Sequence, residues 1–133
     1  MSRDITCFLV DDDTDDLEIF AIAVAETGQP ITCTTASDGI DALRLLREDE
    51  TFLPDFIFLD LNMPRMNGKQ CLAEIKKIER LERVPVVIYS TSANQRDIDD
   101  ALKLGAAHFL TKPSSISALT ETLSTLLINH VKK

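Results

Sequence analysis

No apolar run in this chain approaches the roughly 20 residues that cross a bilayer. The opening Met1-Ser-Arg-Asp-Ile-Thr lacks the apolar core of a signal peptide. Membrane insertion and export are therefore not expected, and a cytoplasmic location is. Clustered Lys and Arg are missing as well: 14 bases stand against 22 acids, for a net charge of −8. Direct nucleic-acid binding is excluded on that ground, because neutralising phosphates needs grouped positive charge. No C-x-x-C joins Cys7, Cys33 and Cys71, and no histidine pair stands near them. In a reducing cytosol they read as small core residues rather than ligands or a redox pair. His108 and His130 likewise have no partner pattern, and a phosphodonor role is assigned to neither. Repeats, low-complexity tracts and Pro/Gly/Ser-rich linkers are absent, so there is no sign of a second domain. A length of 133 residues suits one domain with a full core and no disulfide or metal staple.

What is present is an uneven charge and a regular alternation. Residues 1–20 hold seven acids against one base, and five of those acids are Asp11, Asp12, Asp13, Asp15 and Asp16. Short apolar or β-branched runs at Cys7–Val10, Ile31–Thr35, Phe56–Leu59, Val86–Tyr89 and His108–Thr111 predict five strands. Between and after them, apolar residues recur at helical spacing. The faces are Leu17, Phe20, Ala21, Val24 and Ala25; Ile40, Leu43 and Leu46 within Gly39–Glu50; and Leu72, Ile75 and Ile78. Ile98, Ala101 and Leu102 follow an Asn94-x-x-Asp97 sequence that resembles a capping box, and Leu119, Leu123, Leu126 and Leu127 stripe the last helix.

Five β–α units of this kind predict an α/β fold: a five-stranded parallel sheet covered on both faces. The expected form is a flavodoxin-like (βα)5 three-layer sandwich of strand order 2-1-3-4-5, since a barrel needs about eight units. In such sheets the functional crevice opens beyond the carboxyl ends of the strands, at the switch point between strands 1 and 3.

The residues at those ends are informative. Asp11 and Asp12 follow strand 1 and Asp60 follows strand 3, while Asp13 or Asp15 suits a helix cap. Capping does not account for several carboxylates converging on one crevice, where like charges repel and call for a cation. A hard divalent ion, Mg²⁺, fits such oxygens. Strand 4 ends in Ser90 with Thr91 and Ser92, and strand 5 in Thr111-Lys112-Pro113. Carboxylates with a metal, a hydroxyl donor and an ammonium at one rim are the parts that stabilise a transferring phosphoryl group.

The runs Phe8-Leu-Val-Asp-Asp, Pro54-Asp-Phe-Ile-Phe-Leu-Asp60-Leu-Asn-Met-Pro64 with Gly68, Val84-Pro-Val-Val-Ile-Tyr-Ser90 and Gly105-Ala-Ala-His-Phe-Leu-Thr-Lys112-Pro113 resemble the receiver domain of two-component response regulators. The loop after Asp60 and the Ile-Tyr-Ser-Thr-Ser stretch are similar to the small single-domain regulators linked to phytochromes. The resemblance spans about residues 5–128 within a receiver domain expected to occupy 1–133, with its motifs in order. It implies that Asp60 accepts a phosphoryl group from a sensor histidine kinase or histidine phosphotransfer protein. It further implies that Asp12, Asp60 and the Asn62 backbone carbonyl bind Mg²⁺, with Asp11 acting through water. Ser90 and Lys112 would hold phosphoryl oxygens, Phe109 would be the aromatic switch that responds to Ser90, and the Lys112–Pro113 bond would be cis.

The expected function is thus a phosphorylation switch or relay rather than an enzyme acting on other substrates. Two alternatives differ in class. A degenerate, phosphorylation-independent module would lack active residues that are all present here. A haloacid-dehalogenase-type aspartyl phosphatase needs Asp-x-Asp after its first strand, whereas Asp60-Leu61-Asn62 follows the third.

Overall fold

A computed structural model describes residues 4–91 and 94–131, with side chains as far as residue 127. Ser92 and the side chain of His130 lie outside the described residues. The strands are β1 (Ile5–Val10), β2 (Ile31–Ala36), β3 (Phe56–Leu59), β4 (Val86–Ser90) and β5 (His108–Thr111). The helices are α1 (Thr14–Glu26), α2 (Gly39–Glu48), α3 (Gly68–Ile75), α4 (Gln95–Lys103) and α5 (Ile116–Val131), with a single 3-10 turn at Glu79–Leu81. All four strand pairings are parallel, and the order is β2-β1-β3-β4-β5, as expected.

Alternate residues of the central strands point to opposite faces, and both faces are apolar. Phe8, Val10, Ile57, Leu59 and Ile88 pack against Leu43 and Leu46 of α2, Leu72 and Ile75 of α3, and Ala101 of α4. Cys7, Leu9, Phe58 and Tyr89 pack against Phe20 and Val24 of α1 and Leu119, Leu123 and Leu127 of α5. Phe20 meets the Phe58 and Tyr89 rings edge-on at 5.0 and 5.8 Å. Two helices on one face and three on the other make the three-layer sandwich.

Several helix details depart from the pattern reading. In α1 the buried residues are Phe20, Ala23 and Val24, while Ala21 and Ala25 are exposed along with Ile19 and Ile22. α3 stops at Ile75, so Ile78 packs from the following turn rather than from the helix. Leu102 of α4 is exposed. The complete capping box belongs to α3, where Asn67 accepts the Gln70 N–H and Gln70 accepts the Asn67 N–H. Asn94 does cap α4, but the Asp97 carboxylate turns to the Asn94 amide and to Lys69 instead of the Asn94 backbone.

Cys7 and Cys71 are buried and Cys33 half-buried, all three reduced. Burial, aided at Cys7 by Cys33 and Asp55, pushes the Cys7 and Cys71 thiols up to about 12 and Cys33 to about 11. The nucleophilic thiolate is therefore scarce at neutral pH. Iodoacetamide at pH 8 should label the folded protein very slowly, Cys33 first, and label all three quickly in urea. Rapid labelling of the native protein, read by intact mass, would contradict this burial.

Candidate functional site

The sheet itself brings the carboxylates together. Val10 pairs with Leu59, the Asp60 N–H donates to Val10 O at 3.0 Å, and the Asp11 N–H donates to Ala36 O at 3.1 Å. Asp11 and Asp60 thus leave adjacent strands at the same level. One carboxylate oxygen from each of Asp11, Asp12 and Asp60 lies within 4.8 Å of the others. Asp11 and Asp60 are buried and Asp12 is exposed. Asp13 takes the other role open to it: its side chain caps α1, accepting the N–H groups of Asp15 and Asp16 at 2.9 and 3.2 Å.

Lys112 enters from the end of β5, where its N–H donates to Ser90 O at 2.8 Å. Its ammonium lies 2.8 Å from Asp11 Oδ2, 2.7 Å from Asp16 Oδ2 and 3.5 Å from Asp60 Oδ2, with 8% of the side chain exposed. The Tyr89 ring backs it, at 5.4 Å from nitrogen to centroid. Burial opposes the lysine's charge, and the Asp11 and Asp16 carboxylates more than offset this, so its pKa is raised. Burial likewise pushes Asp11 up to about 6, against the pull of Lys112 and the Asp13 N–H. Among the described residues no peptide bond is cis, so Lys112–Pro113 is trans. Two carboxylates, rather than the expected cis bond, aim the lysine.

Ser90 is fully buried beside this group, and its carbonyl belongs to the ladder with Lys112. Phe109 pairs with Ile88 and is half-buried, packed on the α2–α3–α4 side of the sheet. The Asn62 N–H donates to Asp60 Oδ1 at 3.4 Å. Asp12, Asp16, Asp60, Asn62, Thr91 and Lys112 line an open crevice of about 500 Å³. A separate groove of about 420 Å³ between Leu53, Val84 and Pro85 contains none of them.

The loop carrying Asn62 is held firmly. Gly68 stands so close to the Asp60 carbonyl that an added Cβ would overlap its oxygen, and the Gly68 N–H donates to Leu61 O at 2.9 Å. Arg65, at φ 65°, ion-pairs with Asp38, the N-cap of α2. Asp16 is the site residue that sequence reasoning missed. Its signal was present, since it shares the acid run with Asp11 and Asp12, but an acid in a helix's first turn has an ordinary explanation in the helix dipole.

A crevice of carboxylates with a buried lysine, at the switch point of a 2-1-3-4-5 sheet, defines the phospho-accepting signalling class. The chain belongs to the response regulator receiver domain family, whose pattern matches residues 7–124. It is a receiver domain of two-component response regulators.

Among individual proteins it is similar to Response regulator Rcp1 of Synechocystis sp. They are 36% identical over 86 residues, covering 62% of this chain and 58% of that protein. It is also 36% identical over 138 aligned positions to the protein-glutamate methylesterase/protein-glutamine glutaminase of Treponema denticola, covering 98% of this chain but only 36% of the relative. The chain thus spans less than two thirds of either relative. Of solved structures, the phosphorylated cyanobacterial phytochrome response regulator RcpA is 34% identical with a TM-score of 0.84, covering 93% of this chain and 91% of that one. The Mn²⁺-bound form of Rcp1 is 28% identical with a TM-score of 0.80, covering 92% and 91%. Among the described residues no helix is long and apolar enough to cross a membrane.

Proposed function

We propose that Asp60 accepts a phosphoryl group from a phosphohistidine of a sensor histidine kinase or phosphotransfer protein, with Mg²⁺ as cofactor. The observation that carries this is the convergence of Asp11, Asp12 and Asp60 within 4.8 Å, with the Lys112 ammonium 3.5 Å from Asp60. The donor set fits the ion, because three carboxylates, two of them buried, offer hard oxygens against the single charge of Lys112. Asp12, Asp60 and the Asn62 carbonyl would hold it, with Asp11 behind them, and it would neutralise charge on the transferring oxygens. Asp60 forms the O–P bond as the donor's N–P bond breaks, and the departing imidazole keeps the electron pair. Lys112 and the Ser90 hydroxyl take phosphoryl oxygens.

Ser90 and Phe109 border the surface of α4, β5 and α5, and this is where phosphorylation shifts the population of conformations. The read-out is binding of a protein target or relay of the group, in a domain of about residues 5–128, with no nucleic acid contacted directly. A cytoplasmic location is part of this reading. The similarity to RcpA and Rcp1 supports this reading.

The test is incubation with acetyl phosphate or a phosphorylated kinase, followed by intact mass. One phosphoryl group should be added to the wild type with Mg²⁺, and none after chelation or in Asp60→Asn. Asp12→Asn should lose the Mg²⁺-supported phosphorylation, whereas Asp13→Asn, still a good cap, should keep it. Label mapping to Asp12 or Asp13 would overturn the acceptor, and turnover of small phosphomonoesters would favour a phosphatase.

A further inference from the structure

Asp16 is the third residue of α1, after the N-cap Asp13. An acid there commonly reaches back to accept the N-cap N–H. Here that N–H is already taken, because Asp13 N donates to Asp11 Oδ1 at 3.0 Å. The Asp16 carboxylate instead crosses the crevice to Lys112 Nζ at 2.7 Å, across 96 residues of sequence.

Lys112 does not need Asp16 to stay in the crevice. Asp11, wholly buried, holds it at 2.8 Å, and the Tyr89 ring lies behind it. What Asp16 adds is an acceptor for the ammonium's hydrogen bond on the α1 side of the crevice. Asp11 at the end of β1 and Asp16 of α1 take the two short contacts, and Asp60 is left with the long one at 3.5 Å. Asp16 is also partly open to water, with 26% of its side chain exposed, so it can be resolvated when the ammonium leaves it. Asp11 has no such recourse.

We propose that Asp16 is a positioning residue for Lys112. It holds the ammonium toward α1 while Asp60 is unmodified and yields it when a phosphoryl group arrives. The proposal rests on the assignment of Asp60 and Lys112 given above. Asp16 competes with the phosphoryl group for one donor, and its own negative charge opposes the incoming anion. It therefore sets how readily the activated state forms without touching the reacting atoms.

The test uses beryllium fluoride with Mg²⁺, a tetrahedral mimic of a phosphoryl group on a carboxylate. Asp16→Asn should bind it about fivefold more tightly than the wild type, the factor expected for one partly exposed ion pair. Asp16→Glu, which restores the charge, should return to near the wild-type constant. Asp15→Asn removes an exposed neighbouring acid of the same turn and should leave the constant unchanged. In ¹H–¹⁵N spectra the Lys112 ammonium signal should move on binding, and in free Asp16→Asn it should already lie part of the way toward the bound position. A merely structural role would not produce that displacement. Equal or weaker binding by Asp16→Asn with an unmoved ammonium signal overturns the proposal, as does equal tightening in Asp15→Asn. Absence of binding by the wild type, or undiminished binding by Asp60→Asn, instead overturns the acceptor assignment, and the role of Asp16 falls with it.

Discussion

Lys112→Met should destabilise the metal-free protein by about 2–3 kcal/mol, because it strands a buried carboxylate. Asp11 is wholly inaccessible, and its Oδ2 has the ammonium at 2.8 Å. Methionine fills a similar volume and keeps the contact with Tyr89, so the loss reports charge rather than packing. Asp11 must then stay ionised without its partner or take up a proton, and either outcome costs stability. The second substitution decides the cause. Adding Asp11→Asn to Lys112→Met should recover most of the loss, since an amide needs no counter-charge. Urea unfolding of the wild type, both single variants and the double variant at constant ionic strength gives the coupling directly. A cost below about 0.5 kcal/mol, or one unchanged by Asp11→Asn, would show that water screens this pair far more than its burial implies.

The second large effect is expected at Gly68, where α3 begins against the loop that follows β3. An alanine methyl there would overlap the Asp60 carbonyl oxygen and stand 2.8 Å from Leu61 Cα. Both neighbours are backbone, so no side chain can swing away. Overpacking of this kind costs about 1–3 kcal/mol, and the upper part of that range is expected because the capping box at Asn67 and Gln70 also resists movement. Relief comes only by displacing Asp60 or tilting α3, so the rate of phosphoryl transfer should fall at least tenfold as well, about what a small misplacement of reacting groups costs. Gly39→Ala is the comparison: its methyl would meet the Met66 side chain at 3.2–3.3 Å, a flexible neighbour beside a backbone oxygen at 3.3 Å. It should cost less than about 1 kcal/mol and leave transfer intact. Equal effects at the two glycines would mean that the contact with Asp60 is not what fixes the loop.

The sheet was legible in the sequence because its central strands carry nearly continuous apolar runs, with Thr6 and Ser90 as the polar residues. Phe56–Leu59 was bounded correctly from composition alone. The same fullness hid nothing about register, since Asp11 and Asp60 each end a run and so mark the carboxyl edge. The helices were less legible. α1 carries apolar residues around most of its circumference, so periodicity could not separate the buried Ala23 from the exposed Ala21 and Ala25. In α3 the apolar spacing runs on to Ile78, but the helix ends earlier and the chain tightens into a 3-10 turn. Charged pairs were the least visible. Nothing in local sequence ties Lys69 to Asp97 and Asp100, or Lys112 to Asp16, because these contacts exist only after distant helices have packed. The aim of Lys112 shows the same limit, since the structure fixes it through carboxylates from β1 and α1.

The pairing of β1 with β3 also has a consequence for how the chain is made. Asp11 and Asp60 become neighbours only when strands nearly fifty residues apart have joined, and their counter-charge arrives later still, at residue 112. During synthesis the first half of the chain therefore carries a dense acidic segment without the lysine that it meets in the finished fold. A nascent sheet of β1, β2 and β3 would bury Asp11 with the Asp13 N–H as its partner and without the ammonium. The ion pair thus adds to the stability gained when that last strand and α5 arrive, and a ribosome-stalled chain ending before residue 112 should remain open to protease while one extended through α5 closes.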